Sequence, residues 1–206
     1  IIIVLLLLIV ISLVSFYHSG IEVEVLKEKY LTSESDFISF EGMNIHYRKT
    51  GSGPVLFLMH GVSSSLHTWS VWQQKLSKDF TVISIDVPSF GLTGPHPKND
   101  YSIDMYMRTI DHITEVLSVD SMYIGGNSYG GYLAWNYAVH KPNKVKKLLL
   151  LNAAGYEIHG FEDLGFQLMS NPNLSFIATS FTPKFVVKKS TRNAYGNPDL
   201  VTDNLV

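Results

Sequence analysis

Short unbroken apolar runs, separated by segments of helical periodicity, constrain the fold of this chain more than any other feature. Residues 55–59 read Val-Leu-Phe-Leu-Met, and 80–85, 121–124 and 145–151 are further runs of strand character. A run without polar alternation suits a strand covered on both faces, which is the habit of parallel sheets. Between these runs Leu66, Trp69, Trp72 and Leu76, then Ile103, Met107, Ile110, Ile113 and Leu117, recur at the spacing of an amphipathic helix, and 129–139 reads as another helix. Residues 37–40 and 43–48 read as two strands around the turn Glu41-Gly42. Strand and helix alternating in this way predict an α/β fold, a mostly parallel doubly wound sheet with right-handed crossovers, over residues 36–156.

The flanks differ from this core. Residues 1–16 read IIIVLLLLIVISLVSF, with 14 apolar side chains and no charge. The run falls between a signal-peptide apolar stretch and a full membrane span. With no small-x-small cleavage pattern, the expectation is an N-terminal transmembrane helix acting as a single-pass anchor. A cleaved signal of a secreted or periplasmic protein is the alternative, and a buried element the third reading. Residues 17–35 read as a polar linker with a helix-like stretch at 22–30. Beyond Asn152-Ala153-Ala154-Gly155 the strand signal fades, and 157–206 reads as helices interrupted at Pro172 and Pro183, the beginning of a helical cap. Asn173-Leu174-Ser175 matches the N-glycosylation pattern, which matters only in a glycosylating compartment.

Composition removes whole classes of chemistry. The chain has 16 Lys and Arg against 18 Asp and Glu, a formal charge of −2, and no basic block, so it carries no footprint for tracking nucleic-acid phosphates. With 0 cysteines there is no disulfide framework, thiol nucleophile or Cys-ligated metal site. No cofactor and no metal is implied, a small-molecule substrate is the expected partner, and the oligomeric state is not readable.

Chemistry concentrates in three loops, each following an apolar run. Gly126-Asn127-Ser128-Tyr129-Gly130 joins the run at 121–124 to a helix. A serine held at a sharp strand-to-helix turn needs small neighbours, which Gly126 and Gly130 supply, and the helix N-terminus turns free N–H groups toward developing negative charge. A plain turn with a helix-capping serine is the bland alternative. His60-Gly61-Val62 ends the run at 55–59, and the backbone N–H groups of Val62 and Tyr129 are candidate oxyanion donors. His60 reads as a structural histidine of this loop rather than a general base. Asp86-Val87-Pro88-Ser89-Phe90-Gly91 follows the run at 80–85, and Asp86 reads as a loop-holding carboxylate rather than a catalytic acid. The aromatic residues Trp69, Phe90, Tyr129 and Trp135 are explained by packing before any role as pocket walls.

From about residue 37 to 156 the chain resembles the α/β-hydrolase superfamily, in particular serine hydrolases grouped with meta-cleavage product hydrolases, haloalkane dehalogenases and epoxide hydrolases. The resemblance rests on His60-Gly61, Asp86-x-Pro88-x-x-Gly91 and Gly126-x-Ser128-x-Gly130, in that order, and Tyr195-Gly196-Asn197-Pro198 resembles cap sequence of these relatives. It implies Ser128 as nucleophile and Val62 and Tyr129 as oxyanion hole, hence acyl transfer to water on a small to medium carboxylic ester or related carbonyl substrate. Serine rather than aspartate at 128 argues against dehalogenase and epoxide-hydrolase chemistry. In this family the catalytic acid and histidine follow the cap, so the last strands and both residues are expected beyond Val206, in a longer protein. Carbon–carbon bond hydrolysis, a cofactor-free haloperoxidase-like activity and a non-catalytic membrane-tethered binding protein are the alternatives.

Overall fold

The computed structural model describes residues 17, 20–156, 171, 180 and 183–203. These fall into two compact units, one spanning residues 23–156 and the other drawn from the two flanks. The expected anchor at 1–16 and most of the expected cap lie outside the described residues. Among the described residues no helix is long and apolar enough to cross a membrane.

The larger unit opens with helix α1 (Val23–Tyr30), which buries no side chain. Strands β1 (Ser35–Phe40) and β2 (Met43–Thr50) follow, joined as an antiparallel hairpin through Glu41 and Gly42, both at positive φ. Then come β3 (Val55–Met59), a 3-10 turn (Leu66–Trp69) running into α2 (Ser70–Leu76), β4 (Thr81–Ile85), α3 (Ile103–Val116), β5 (Met122–Asn127), α4 (Tyr129–His140) and β6 (Val145–Leu151). The 6-stranded sheet has the order β1-β2-β4-β3-β5-β6. The four strands β4, β3, β5 and β6 are parallel, while β2 runs antiparallel to both β1 and β4, so the sheet is mixed.

The runs in β3, β4 and β5 behave as a doubly covered sheet requires, whereas β6 buries none of its residues and leaves Leu148 and Leu150 exposed, against the expectation of cover on both faces. Phe57, Met59, Ile83, Ile85 and Ile124 face one side, packed against Met105, Ile110 and Ile113 of α3 and Leu133, Ala134 and Tyr137 of α4. Leu56, Leu58 and Val82 face the other side, against Trp69. Each such fully buried side chain contributes about 1.5–3 kcal/mol. Helix α3 is started by Ser102, whose hydroxyl accepts from the Met105 N–H.

Chain order makes one place in this sheet special. After β3 the chain crosses to β4 on one side, and after β4 it returns to β5 on the other side of β3. The connections therefore diverge at β3 and β5, and the crevice beyond the carboxyl ends of those strands is where open α/β sheets bind ligands. The smaller unit contains α5 (Lys184–Ala194) and a 3-10 turn (Pro198–Leu200). Lys188 and Arg192 of α5 pair with Asp203 at 2.6 Å and Asp199 at 3.5 Å.

Candidate active site

Ser128 stands at that crevice, between the end of β5 and the start of α4. Its backbone has φ 52° and ψ −115°, a conformation that L-residues avoid and that costs on the order of 1–3 kcal/mol. Neighbours hold it there. The Ser128 N–H donates to the Leu151 carbonyl at 3.1 Å, and the Ser128 carbonyl accepts from the N–H groups of Tyr132 and Ala154, each at 3.0 Å. Asn127 reinforces the link to β6 by donating its side-chain amide to the Leu151 carbonyl. Trp135 braces the loop after β6 by donating Nε1–H to the Ala154 carbonyl at 3.0 Å.

The glycines of the motif are steric necessities. A Cβ on Gly130 would overlap the backbone carbonyl of Met59, and one on Gly126 would overlap Gly130. Helix α4 thus begins directly against the end of β3. A Cβ on Gly61 would lie 3.1 Å from the Ser128 Cβ, so the loop after β3 passes beside the serine. Val62, next in that loop, is exposed, and Tyr129 is the first residue of α4, where N–H groups have no helical partner. The structure therefore brings Gly61, Gly126, Ser128, Tyr129 and Gly130 together, with Val62 following Gly61.

His60 and Asp86 are occupied elsewhere. His60 is fully buried, its Nε2 accepts from the Val87 N–H at 3.0 Å, and its Nδ1–H donates to the Gly61 carbonyl at 2.7 Å. Both nitrogens are used by the neutral ring, and burial lowers its pKa, so its 3.9 Å approach to Asp86 is not an ion pair. Asp86 accepts from the Leu66 N–H at 2.7 Å, the Leu92 N–H at 2.8 Å and His46 Nδ1–H at 2.7 Å. Burial alone would raise its pKa, but these hydrogen bonds outweigh it and hold the carboxyl below its ordinary value. Gly91, at φ 53°, lies so close to this carboxylate that any Cβ would overlap it. Pro88, also buried, sits in the turn between them. His60, Asp86, Pro88 and Gly91 thus tie the loops after β3 and β4 to the start of the 66–76 helix, and none of them is hydrogen-bonded to Ser128.

The sequence reading missed His46 and Thr93. The Thr93 hydroxyl donates to the Asp86 carbonyl and accepts from the His46 N–H, knitting β2 to the same knot. No local signal marks His46, because its partners Asp86 and Thr93 lie 40 and 47 residues away in sequence. At the start of α4, the Tyr129 ring lies edge-on to Tyr106 and parallel to Tyr132. Burial, then hydrogen bonding with Tyr129, pushes the Tyr106 phenol far above its ordinary value, so it stays neutral. Among the described residues no group of His, Cys, Asp or Glu is placed to hold a metal ion.

Residues 54–175 match the alpha/beta hydrolase fold family. An uncharacterised protein of Mycobacterium tuberculosis is 34% identical over 119 residues, covering 58% of this chain and 35% of that protein. The 2-hydroxy-6-oxo-2,4-heptadienoate hydrolase of Pseudomonas putida is 28% identical over 117 residues, 55% of this chain and 42% of that one. A solved meta-cleavage product hydrolase from Pseudomonas fluorescens superposes with a TM-score of 0.64 at 28% identity, covering 80% of this chain and 58% of that one. The chain spans about a third of the length of the first of these relatives, from 35% coverage. A strand-to-helix serine turn at the switch point of a mixed sheet, with the family match over most of that sheet, places this chain in the α/β-hydrolase fold family.

Proposed function

We propose that this protein is a serine hydrolase that transfers an acyl group from a small to medium carboxylic ester, or a related carbonyl compound, to water. The observation that carries the reading is the backbone of Ser128, held at φ 52° on a turn whose neighbours leave no room for a side chain at 126 or 130. Strain of that kind persists where it presents a side chain for use. In this mechanism a general base takes the Ser128 hydroxyl proton as Oγ attacks the substrate carbonyl carbon. The resulting oxyanion accepts from the Val62 and Tyr129 N–H groups, and the leaving group departs with a proton as the acyl-enzyme forms. Water then cleaves the acyl-enzyme and returns the proton to Ser128. His60 does not serve as the base, because both its nitrogens are engaged. The reading therefore requires a histidine from outside the residues packed around Ser128.

A second reading, hydrolysis of an activated carbon–carbon bond of the meta-cleavage product type, is favoured by the likeness to the 2-hydroxy-6-oxo-2,4-heptadienoate hydrolase and the meta-cleavage product hydrolase, each at 28% identity. Both readings use Ser128. In the complete gene product, a fluorophosphonate probe is expected to label the protein at Ser128, and Ser128→Ala to abolish labelling and lower ester turnover by roughly 10³-fold or more. A folded, unlabelled parent protein would overturn the proposal. Product analysis with a dienoic keto acid and with simple esters separates the two readings.

A further inference from the structure

The face of β2 and β4 beneath α2 carries a strip of polar side chains that the catalytic reading does not use. His46, Arg48 and Thr50 alternate along β2, Ser84 opposes Arg48 on β4, and His67, Ser70 and Gln73 cover them from the 66–76 helix. Arg48 is 6% exposed and Gln73 4%, yet their hydrogen bonding is incomplete. Arg48 contacts His67 Nδ1 and donates to the Ser70 hydroxyl at 3.2 Å, both neutral partners, and its Nε has none. Gln73 accepts from the Ser84 hydroxyl at 3.0 Å, while its Nε2 is unpaired, as is the Thr50 hydroxyl. Among the described residues no carboxylate is within ion-pairing distance of Arg48, and Glu34 and Asp86 act on it only at longer range. A buried guanidinium without counter-charge is an expensive arrangement.

A cleft of about 450 Å³ opens on this strip, lined by Glu34, Arg48, Thr50, Ser70, Gln73 and Gln74 with Ser77. The pairing of Thr50 with Val82, near the start of β4, sets it toward the sheet edge opposite Ser128. We propose that this cleft binds a small polar molecule through an anionic group, carboxylate or phosphoryl, held by Arg48 with the Thr50 hydroxyl and Gln73 amide turning toward it. The ligand supplies the missing counter-charge, and the unpaired donors gain an acceptor. Glu34, exposed at the cleft wall and accepting from the Thr32 hydroxyl at 3.3 Å, limits the affinity by repulsion. Because the site does not involve Ser128, it stands or falls separately from the hydrolase reading.

Titration calorimetry on the full chain with inorganic phosphate and with acetate, at matched ionic strength, tests this. Saturable binding of either is expected, phosphate above acetate marking a phosphoryl ligand and the reverse a carboxylate. Glu34→Gln strengthens it roughly 3-fold by removing a like charge, and Arg48→Lys weakens it roughly 10-fold by replacing the planar fork with a point charge. Ser128→Ala leaves it unchanged. Absence of saturable binding in both the parent and E34Q at millimolar probe overturns the proposal, as does equal binding by parent and R48K. Where R48K does not fold, an unchanged affinity in E34Q overturns it by itself.

Discussion

Around Asp86 the buried polar groups close on one another, whereas along the strip between β2 and α2 they do not. The Asp86 carboxylate takes hydrogen bonds from His46, Leu66 and Leu92, Thr93 bridges two backbone groups, and both His60 nitrogens are used. A few ångströms along β2, buried atoms of Arg48, Thr50, His67, Trp69 and Gln73 have no partner among the described residues. His46 belongs to both regions, with Nδ1 bound to Asp86 and Nε2 unpaired. A closed network has one low-energy geometry, which suits loops that, in the proposed function, hold a nucleophile and its oxyanion donors in register. An open one keeps unused hydrogen-bonding capacity, a liability for stability unless something from outside meets it.

The largest effect expected from this contrast comes from cutting the closed network at its centre. Asp86→Ala removes the acceptor for two backbone N–H groups and the His46 ring at once, in a site that is 1% exposed. The expected loss is about 3–5 kcal/mol in urea unfolding, with the loops after β3 and β4 losing protection in hydrogen exchange before the sheet does. A loss below about 1 kcal/mol would mean that the network is ornamental and the contrast with the strip false.

How much of this the sequence carries differs between the two regions for a physical reason. Burial on both faces leaves β3, β4 and β5 little choice of residue, and Val55–Met59 forms β3 as its composition requires, whereas β6 pairs into the sheet with Leu148 and Leu150 exposed. Gly126 and Gly130 are legible because backbone crowding admits no other residue there, and Gly91 because the Asp86 carboxylate fills the space a Cβ would need. The sequence reads His60 and Asp86 as loop-holding residues, and in the structure their hydrogen bonds run to Gly61 and Val87 and to Leu66 and Leu92. The antiparallel attachment of β2 to β4 was not foreseen, since pairing partners distant in sequence leave no local mark. For the same reason the strip was invisible. Arg48 in a strand of mixed polarity reads as an ordinary exposed residue until β4 and α2 cover it.

A pH series sharpens the comparison, because each region holds a histidine whose pKa the fold lowers. For His60 the cause is burial, and for His67 burial and then the charge of Arg48. His60 also faces Gly61 and Asp86, and His67 also faces Asp86, His46 and Tyr30. A lowered histidine pKa means that the unfolded chain takes up protons first, so stability is full above the unfolded value of about 6.5 and is lost as pH falls toward the folded values. Asp86 adds nothing in this window, since its own loss begins only below the ordinary aspartate value of 3.8. The urea midpoint of the parent should therefore fall from about pH 7.5 to about pH 5.5. His60→Gln and His67→Gln should each flatten part of that slope. A His60→Gln profile as steep as the parent's would show that the ring is not held neutral.

The smallest effect has the opposite sign and probes the strip directly. Thr50→Val keeps the branched shape that suits β2 and deletes a buried hydroxyl with no partner. Where a hydroxyl is paired, the same change costs stability. Here it should add about 0.5–1 kcal/mol to the ligand-free chain, while weakening phosphate or acetate binding in the cleft. The two readouts move in opposite directions only if the hydroxyl is kept for a ligand rather than for the fold. A loss of stability in Thr50→Val would show that the hydroxyl is satisfied in solution, and the distinction between a closed and an open region would then fail at this residue.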